Sequence, residues 1–411
     1  MKILALGGCG DIGRHAVRTL IENEYCSHVV IADINEENAR QYASRFGSKA
    51  SWTRVDISNS HQLKKAFSGV DVIMNTVGPY FRYGLHALRS AIETKRHYMD
   101  VCDDWEPTLE MLALDATARE AGVTAIIGLG ASPGISNMLA VKAISELDLA
   151  QELYTGWDLE EAVPEQIGPQ PSAATIHGIH QLTGRIRVLE KGHFVESKPL
   201  QRIMLTYPGI PGTSPSWSIG HPEPITFPRY YPSLEKSLNV MTAKRSTIAF
   251  IKFLAPLVNT GWLSVQKAGW LAEHTMHKTG HPTTTGPALD VLVDKLHSGL
   301  TFLPPLFSLA LGKKDGMTAA CGCMILSAPQ GGMGPVTGVP LAIGISLLAN
   351  QKLRGPGVFA PEGAVNPDDF FAALGPLCSP PIRSIAELVF ITRTWERNSA
   401  PRIRRAHSAG S

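Results

Sequence analysis

The segment Gly8-Cys9-Gly10-Asp11-Ile12-Gly13, entered from the apolar run Ile3-Leu4-Ala5-Leu6, constrains this chain more than any other feature. An apolar run that ends in glycines and then turns amphipathic predicts a buried strand, a tight turn and a helix start. Gly8 is expected to permit the turn, Gly10 to let backbone N–H groups reach a ligand, and Gly13 to let the helix pack close to the strand. The positive end of that helix then faces the turn, which is the geometry that cradles a dinucleotide pyrophosphate. A lone glycine pattern is a weak signal, but here a second strand, His28-Val29-Val30-Ile31-Ala32, follows and ends in Asp33. An acid at that point takes the adenosine ribose hydroxyls. The pattern specifies a Rossmann domain for a nicotinamide or flavin dinucleotide, with Gly8, Gly10, Asp11, Ile12 and Gly13 around the pyrophosphate.

The strand–helix alternation continues to about residue 130. A helix over 35–46 leads to the strand Trp52-Thr53-Arg54-Val55, which ends at Asp56. A helix over 61–67 precedes the strand over 70–75, and a helix over 85–94 precedes His97-Tyr98-Met99-Asp100. One long helix over 106–121 then leads to a sixth strand over 123–127. Six strands with crossover helices make a doubly wound parallel sheet of the α/β class. Pro133-Gly134 opens a further helix, and from about 150 to 330 prolines cluster while short strands alternate with helices. This predicts a dinucleotide-binding domain over 1–132 and a substrate and dimerisation domain of α+β type over 133–335, closing over the nicotinamide end.

At 411 residues, two domains are the natural expectation, and 44% hydrophobic content supplies a sizeable core. A formal charge of +2 provides no field to recruit nucleic acid, so a small-molecule substrate is expected. Six cysteines at irregular spacing, one of them inside the phosphate loop, argue against a disulfide framework and for a reducing compartment, the cytoplasm. Cys321-Gly322-Cys323 lacks the spacing of a zinc site and reads as a strand. The apolar stretches 300–311 and 336–349 fall short of a membrane-spanning length and are expected as buried helices. The basic tail over 396–411, with Arg397, Arg402, Arg404 and Arg405, reads as a solvated end.

Ligand groups belong at the carboxyl ends of the parallel strands. Asp33 favours NAD, because its charge repels the extra phosphate of NADP; Asn35 and Arg40 nearby keep NADP as the alternative. Asp56 and Ile57 lie where strand three meets the adenine, with a helix cap as the competing role for Asp56. Asn75, Val77, Gly78 and Pro79 end strand four beside the nicotinamide, and Tyr80 edges the substrate. Asp103 follows strand five, where a helix cap is again the plainer role for it or for Asp104. Gly130-Ala131-Ser132-Pro133-Gly134 before a helix is expected to present N–H groups on which a substrate carboxylate docks. His177 and His180 lie three apart with no third ligand near, so no metal is expected, and His177 is a candidate to orient substrate or move a proton. His221, among prolines, reads as a structural hydrogen bond.

These segments together resemble the saccharopine dehydrogenase-like superfamily of NAD(P)-dependent oxidoreductases. The resemblance rests on the glycine fingerprint, Asn75 to Pro79, Tyr98-Met99-Asp100 and Gly130-Ala131-Ser132-Pro133-Gly134-Ile135-Ser136-Asn137. Gly220-His221-Pro222-Glu223-Pro224 with Pro228-Arg229, Gly357-Val358-Phe359-Ala360-Pro361-Glu362 and Phe370-Phe371 extend it along the chain. It implies that a segment over 336–378 returns to the Rossmann domain and that hydride passes between a nicotinamide and a carbon bearing nitrogen. Two departures count against saccharopine itself. Ser132 stands where the saccharopine reductases have aspartate, which is closer to the lysine 6-dehydrogenase type. The helix near His177 also lacks the family's substrate-gripping arginine before Arg185.

The expectation is thus an oxidoreductase acting on the amine or imine of an amino-acid or polyamine derivative, with Tyr80, Asp103, Ser132 and His177 as substrate contacts. A homodimer is the default assembly. Two alternatives stand beside it: a reductase of C=C or C=O bonds in lipid or secondary metabolism, suggested by the apolar segments 250–254 and 303–307, and a non-catalytic dinucleotide-binding protein.

Overall fold

Ile3, Leu4 and Ala5 are fully buried because the N-terminal strand lies in the middle of a parallel sheet covered on both faces. A computed structural model describes residues 1–162, 170–276 and 302–396. Its first sheet contains β1 (Lys2–Leu6), β2 (His28–Asp33), β3 (Ala50–Arg54), β4 (Val72–Asn75), β5 (His97–Asp100) and β6 (Thr124–Ile126). The helices between them are α1 (Asp11–Ile21), α2 (Glu36–Ser44), α3 (Ser60–Phe67), α4 (Tyr80–Glu93), α5 (Trp105–Leu112) and α6 (Asp115–Ala121), and α7 (Ile135–Ser145) follows β6. A seventh strand, Gly357–Phe359, pairs in parallel with β6, so the order is Gly357–Phe359, β6, β5, β4, β1, β2, β3. The order reverses between β1 and β4, and a doubly wound sheet opens its ligand crevice at that switch point.

The chain divides into two compact units, Met1–Met138 with Pro329–Cys378, and Leu139–Ala328 with the residues from Ser379 on. In the first unit the returning helix Met333–Ala349 packs along α1. A Cβ at Gly338 would stand 2.5 Å from the Ile12 carbonyl oxygen and 3.0 Å from the Ala16 nitrogen, so only glycine lets the two backbones come this close. That helix is uncharged and buried around most of its circumference, as a helix enclosed by protein should be. Among the described residues, no helix is long and apolar enough to cross a membrane.

The single helix expected over 106–121 is broken into α5 and α6. The second piece starts at Asp115, whose carboxylate accepts the Val358 N–H at 2.9 Å from the returning segment. That contact re-aims the chain at a point where the local pattern carries no break.

In the second unit a mixed sheet runs in the order Arg202–Leu205, Ser214–Ser218, Lys236–Thr242, Leu149–Asp158, Leu306–Lys314, Met317–Ile325, Val389–Glu396. The pair Lys236–Thr242 and Leu149–Asp158 is parallel and the other pairs along this path are antiparallel. Phe307 lies over Gly156, where a Cβ would meet the ring at 2.3 Å, and packs edge-on against Tyr207 with ring centroids 5.5 Å apart. The apolar stretch 300–311 is therefore a strand from Leu306 on, not a helix. Continuous burial produces a run of apolar residues in either conformation, and the period cannot separate them. Cys321 and Cys323 lie on the neighbouring strand with their thiols buried, and all six cysteines are free. Of the basic tail, residues 397–411 lie outside the described residues.

Candidate active site

The turn between β1 and α1 is built from glycine because the backbone crosses itself there. The left-handed residue is Gly7, at φ +70°, and not Gly8 as the pattern suggested. Gly8 is needed for room instead, since its Cβ would lie 2.8 Å from the Ala5 Cβ and 3.0 Å from the Ala5 oxygen. Gly13 is the tightest of the set: a Cβ would stand 2.1 Å from the Gly7 oxygen, 2.8 Å from the Gly8 Cα and 2.8 Å from the Thr76 hydroxyl. The Thr76 hydroxyl in turn donates to the Leu6 oxygen at 2.9 Å, tying the end of β4 to the turn. Gly10 is the N-cap of α1 and no side chain caps the first turn, where Asp11 and Ile12 are the first helical residues. An open helix N-terminus behind so close a turn fits a pyrophosphate.

Asp33 ends β2 with both carboxylate oxygens engaged. The Cys9 thiol donates to Oδ2 at 2.9 Å and the Asn35 N–H donates to Oδ1 at 3.0 Å. Burial, then the bond and charge of Asp33, push the Cys9 thiol up to about 12, so it keeps its proton. Asp56 forms a local turn, accepting from the Ser58 N–H at 2.9 Å and the Ser58 hydroxyl at 2.7 Å, and the hydroxyl first of all holds its carboxyl below the usual range. The cap of α3 is Asn59, which accepts from the His61 and Gln62 N–H groups, so Asp56 is not the helix cap.

A buried relay joins the carboxyl ends of β4, β5 and β6. The Asn75 amide donates to the Tyr98 hydroxyl at 2.9 Å, which donates to Asp100 Oδ2 at 2.9 Å. Asp100 Oδ1 accepts from the N–H groups of Cys102 at 3.0 Å and Gly128 at 2.8 Å. Asn75 Oδ1 accepts the Val77 N–H at 3.0 Å, which sets the loop that runs through the cis Gly78–Pro79 bond. Desolvation raises the Asp100 carboxyl to about 6 in spite of its three donors. Tyr80 is buried and its hydroxyl donates to the Asn75 oxygen at 3.0 Å, so it braces this loop.

Asp103 is half-buried after β5. Asp104 is fully buried and holds the N-cap position of α5 by its backbone, while its carboxylate accepts the Phe81 N–H at 3.3 Å from the start of α4. Cys102 is buried too, and burial drives its thiol well up, away from reactivity.

The N-terminus of α7 does not offer the N–H groups expected of it. Gly134 N–H goes to Asn137 Oδ1 at 2.7 Å, Ile135 N–H to the Gly130 oxygen at 3.0 Å and Ser136 N–H to the Ala131 oxygen at 2.9 Å. The backbone closes on itself at Gly134, where φ is +128° and a Cβ would stand 2.0 Å from the Gly130 oxygen. The Asn137 amide donates at 2.7 Å to Glu362 of the returning segment. The loop is thus a self-contained brace that leaves Ser132 half-buried at its turn.

In the second unit, His177 is buried on the helix Ala173–Gln181, with His180 half-buried one turn on. His221 is buried with Nδ1 3.4 Å from Glu223 Oε2, and the other oxygen of Glu223 accepts the Asn239 amide at 3.0 Å.

The comparisons with known proteins decide the family. The model of the saccharopine dehydrogenase NADP binding domain matches residues 3–126, and that of the saccharopine dehydrogenase C-terminal domain matches residues 130–377. The chain belongs to the saccharopine dehydrogenase family. It is an NAD(P)-dependent oxidoreductase. Carboxyaminopropylagmatine dehydrogenase of Synechocystis is 23% identical over 92% of this chain and 96% of its own length. The glutamate-forming saccharopine dehydrogenase of Saccharomyces cerevisiae is 30% identical over 36% of this chain and 32% of its own. The solved apo structure of the saccharopine dehydrogenase (L-Glu forming) from Saccharomyces cerevisiae covers 96% of this chain and 99% of its own with a TM-score of 0.60 at 17% identity, a likeness of fold.

Within this saccharopine dehydrogenase-like frame, sequence reasoning missed Gly7, the Cys9 thiol and the Tyr98–Asp100 relay. The strand-end position of Asp100 and the tyrosine two residues before it, on the same face of the strand, are the signal that could have found the relay.

Proposed function

We propose that this enzyme interconverts the amine and imine of an amino-acid or polyamine derivative, with NAD as its preferred cofactor. The observation that carries the substrate class is the end-to-end likeness to carboxyaminopropylagmatine dehydrogenase. Bound nicotinamide supplies or takes the hydride. The chain's part is placement. Backbone groups of Gly8, Gly10, Asp11, Ile12 and Gly13 hold the pyrophosphate, and Asp33 takes the adenosine ribose. Asp56 and Ile57 lie by the adenine. Asn75, Val77, Gly78 and Pro79 flank the nicotinamide, while Asp103 and Ser132 meet the substrate. Tyr80 and the Tyr98–Asp100 relay position the Asn75 loop. The assembly is a cytoplasmic homodimer that binds no nucleic acid.

The family model is named for NADP, yet this chain's residues favour NAD. Asp33 is an anion where a ribose phosphate would sit. Arg40 is held by Glu37 through contacts of 2.8 to 3.0 Å, and the Asn35 side chain caps α2 by accepting from the Asn38 N–H at 3.0 Å. The two groups that argued for NADP are thus occupied elsewhere. The alternative of a lipid or ketone reductase loses much of its motive, since Leu303, Leu306 and Phe307 are buried core of the second sheet.

Fluorescence titration with NADH and NADPH tests the cofactor. NADH should bind more tightly, and Asp33→Ala should weaken NADH about tenfold, the loss of one hydrogen bond to a charged group, without weakening NADPH. Tighter binding of NADPH by the native chain would reject NAD. Screening amines and imines by the absorbance of reduced nicotinamide tests the substrate class; turnover of ketones or alkenes alone would reject it.

A further inference from the structure

We propose that the Cys9 thiol is a positioning group for the cofactor: it holds the Asp33 carboxylate in the orientation that receives the adenosine ribose, and so shares in the choice of NAD over NADP. The inference rests on the reading of Asp33 above and adds a residue to it.

The thiol sits inside the phosphate-binding turn, between Gly8 and Gly10, and donates to Asp33 Oδ2 at 2.9 Å. Asn35 N–H reaches Oδ1 at 3.0 Å from the opposite loop. Two donors from two loops stop rotation of the carboxylate, and each oxygen keeps acceptor capacity for a ribose hydroxyl. A thiol is a weak donor, but the ionised acceptor strengthens the bond. Burial and the carboxylate both keep the proton on sulfur, so Cys9 acts as a donor and not as a nucleophile. The other five cysteines are buried, whereas Cys9 is half-exposed at the ligand edge of the turn.

The experiment uses the full chain and four forms: native, Cys9→Ser, Cys9→Ala and Asp33→Asn. Dissociation constants for NADH and NADPH are measured by fluorescence titration, and alkylation of Cys9 by iodoacetamide is followed by peptide mass spectrometry. Cys9→Ala should weaken NADH by about five- to tenfold, the loss of a weak donor to a charged group, and leave NADPH within about twofold. Cys9→Ser retains a donor and should stay near native. Asp33→Asn should collapse the NADH preference and speed alkylation of Cys9, because removing the neighbouring anion lowers the thiol pKa.

Equal weakening of both cofactors by Cys9→Ala, or of neither, overturns the proposal and reduces Cys9 to packing. Should that variant fail to fold, unchanged alkylation in Asp33→Asn overturns it instead. If Asp33→Asn shifts the cofactor preference and Cys9→Ala does not, the proposal alone falls. If Asp33→Asn leaves the preference unchanged, the NAD reading of Asp33 falls and the proposal with it.

Discussion

Gly13→Ala is expected to weaken NADH binding by at least about tenfold, the equivalent of one hydrogen bond lost at a charged phosphate. The added methyl would stand 2.1 Å from the Gly7 oxygen and 2.8 Å from the Gly8 Cα, both backbone atoms that no side-chain rotation can move aside. The turn must therefore open, carrying the first N–H groups of α1 away from the pyrophosphate. Overpacking of this kind costs about 1–3 kcal/mol, so the melting temperature should fall as well. Gly69→Ala is the control, since nothing lies within 4 Å of its Cβ and its φ needs no glycine. Titration with NADH beside thermal melts of both variants checks the pair. A Gly13→Ala chain that binds NADH like the native one would show that α1 does not hold the pyrophosphate.

Tyr98→Phe should produce the second large effect, on stability and on turnover together. Its hydroxyl is the acceptor for the Asn75 amide and a donor to Asp100, and all three residues are fully buried. Deleting it strands a donor on one side and a lone pair of a carboxylate on the other, a loss on the order of 3 kcal/mol. The Asn75 loop that positions Val77 also loses its anchor, so kcat should fall even where the variant remains folded.

The same relay carries a pH signature. The Asp100 carboxyl is raised from 3.8 to about 6 by desolvation, so the folded state binds its proton more tightly than the unfolded state does. Its contribution to stability is full below about pH 4 and is lost as pH rises through about 6. The difference between 6 and 3.8 corresponds to about 3 kcal/mol at about 1.36 kcal/mol per pH unit. Tyr98→Phe removes one of the bonds that favour the ionised form, which moves this loss to higher pH. Asp100→Asn should abolish it and flatten the stability profile between pH 4 and 7. A urea-melt series across that range reads both variants, and an Asp100→Asn profile that still parallels the native one would assign the titration to another group.

Local chemistry made much of the first unit legible. Apolar runs ending in glycine or aspartate, helix patterns between them and an acid after the second strand specify consecutive parallel strands, because each signal lies within a few residues of the structure it causes. The same locality revealed the candidate pyrophosphate turn and Asp33. It failed where the contacts that close a loop on itself decide the outcome. Gly7 carries the left-handed turn because the chain must pass under Gly13. The brace at Gly130–Asn137 consumes its own N–H groups, which a Pro-Gly before a helix cannot reveal.

Tertiary structure alone decided the break at Asp115, whose carboxylate binds Val358 at a separation of 243 residues. It decided that the run at Leu306 is a strand, because Leu149–Asp158 and Met317–Ile325 hydrogen-bond to its two edges. It also brought Asn75 of β4 to Tyr98 of β5, since hydrogen bonds across a sheet join residues whose sequence neighbours say nothing of one another. What the sequence by itself determined is the glycine turn after β1 and the parallel sheet behind it, where backbone sterics act over one or two residues; what the tertiary structure decided is which of the remaining polar groups are spent on the fold.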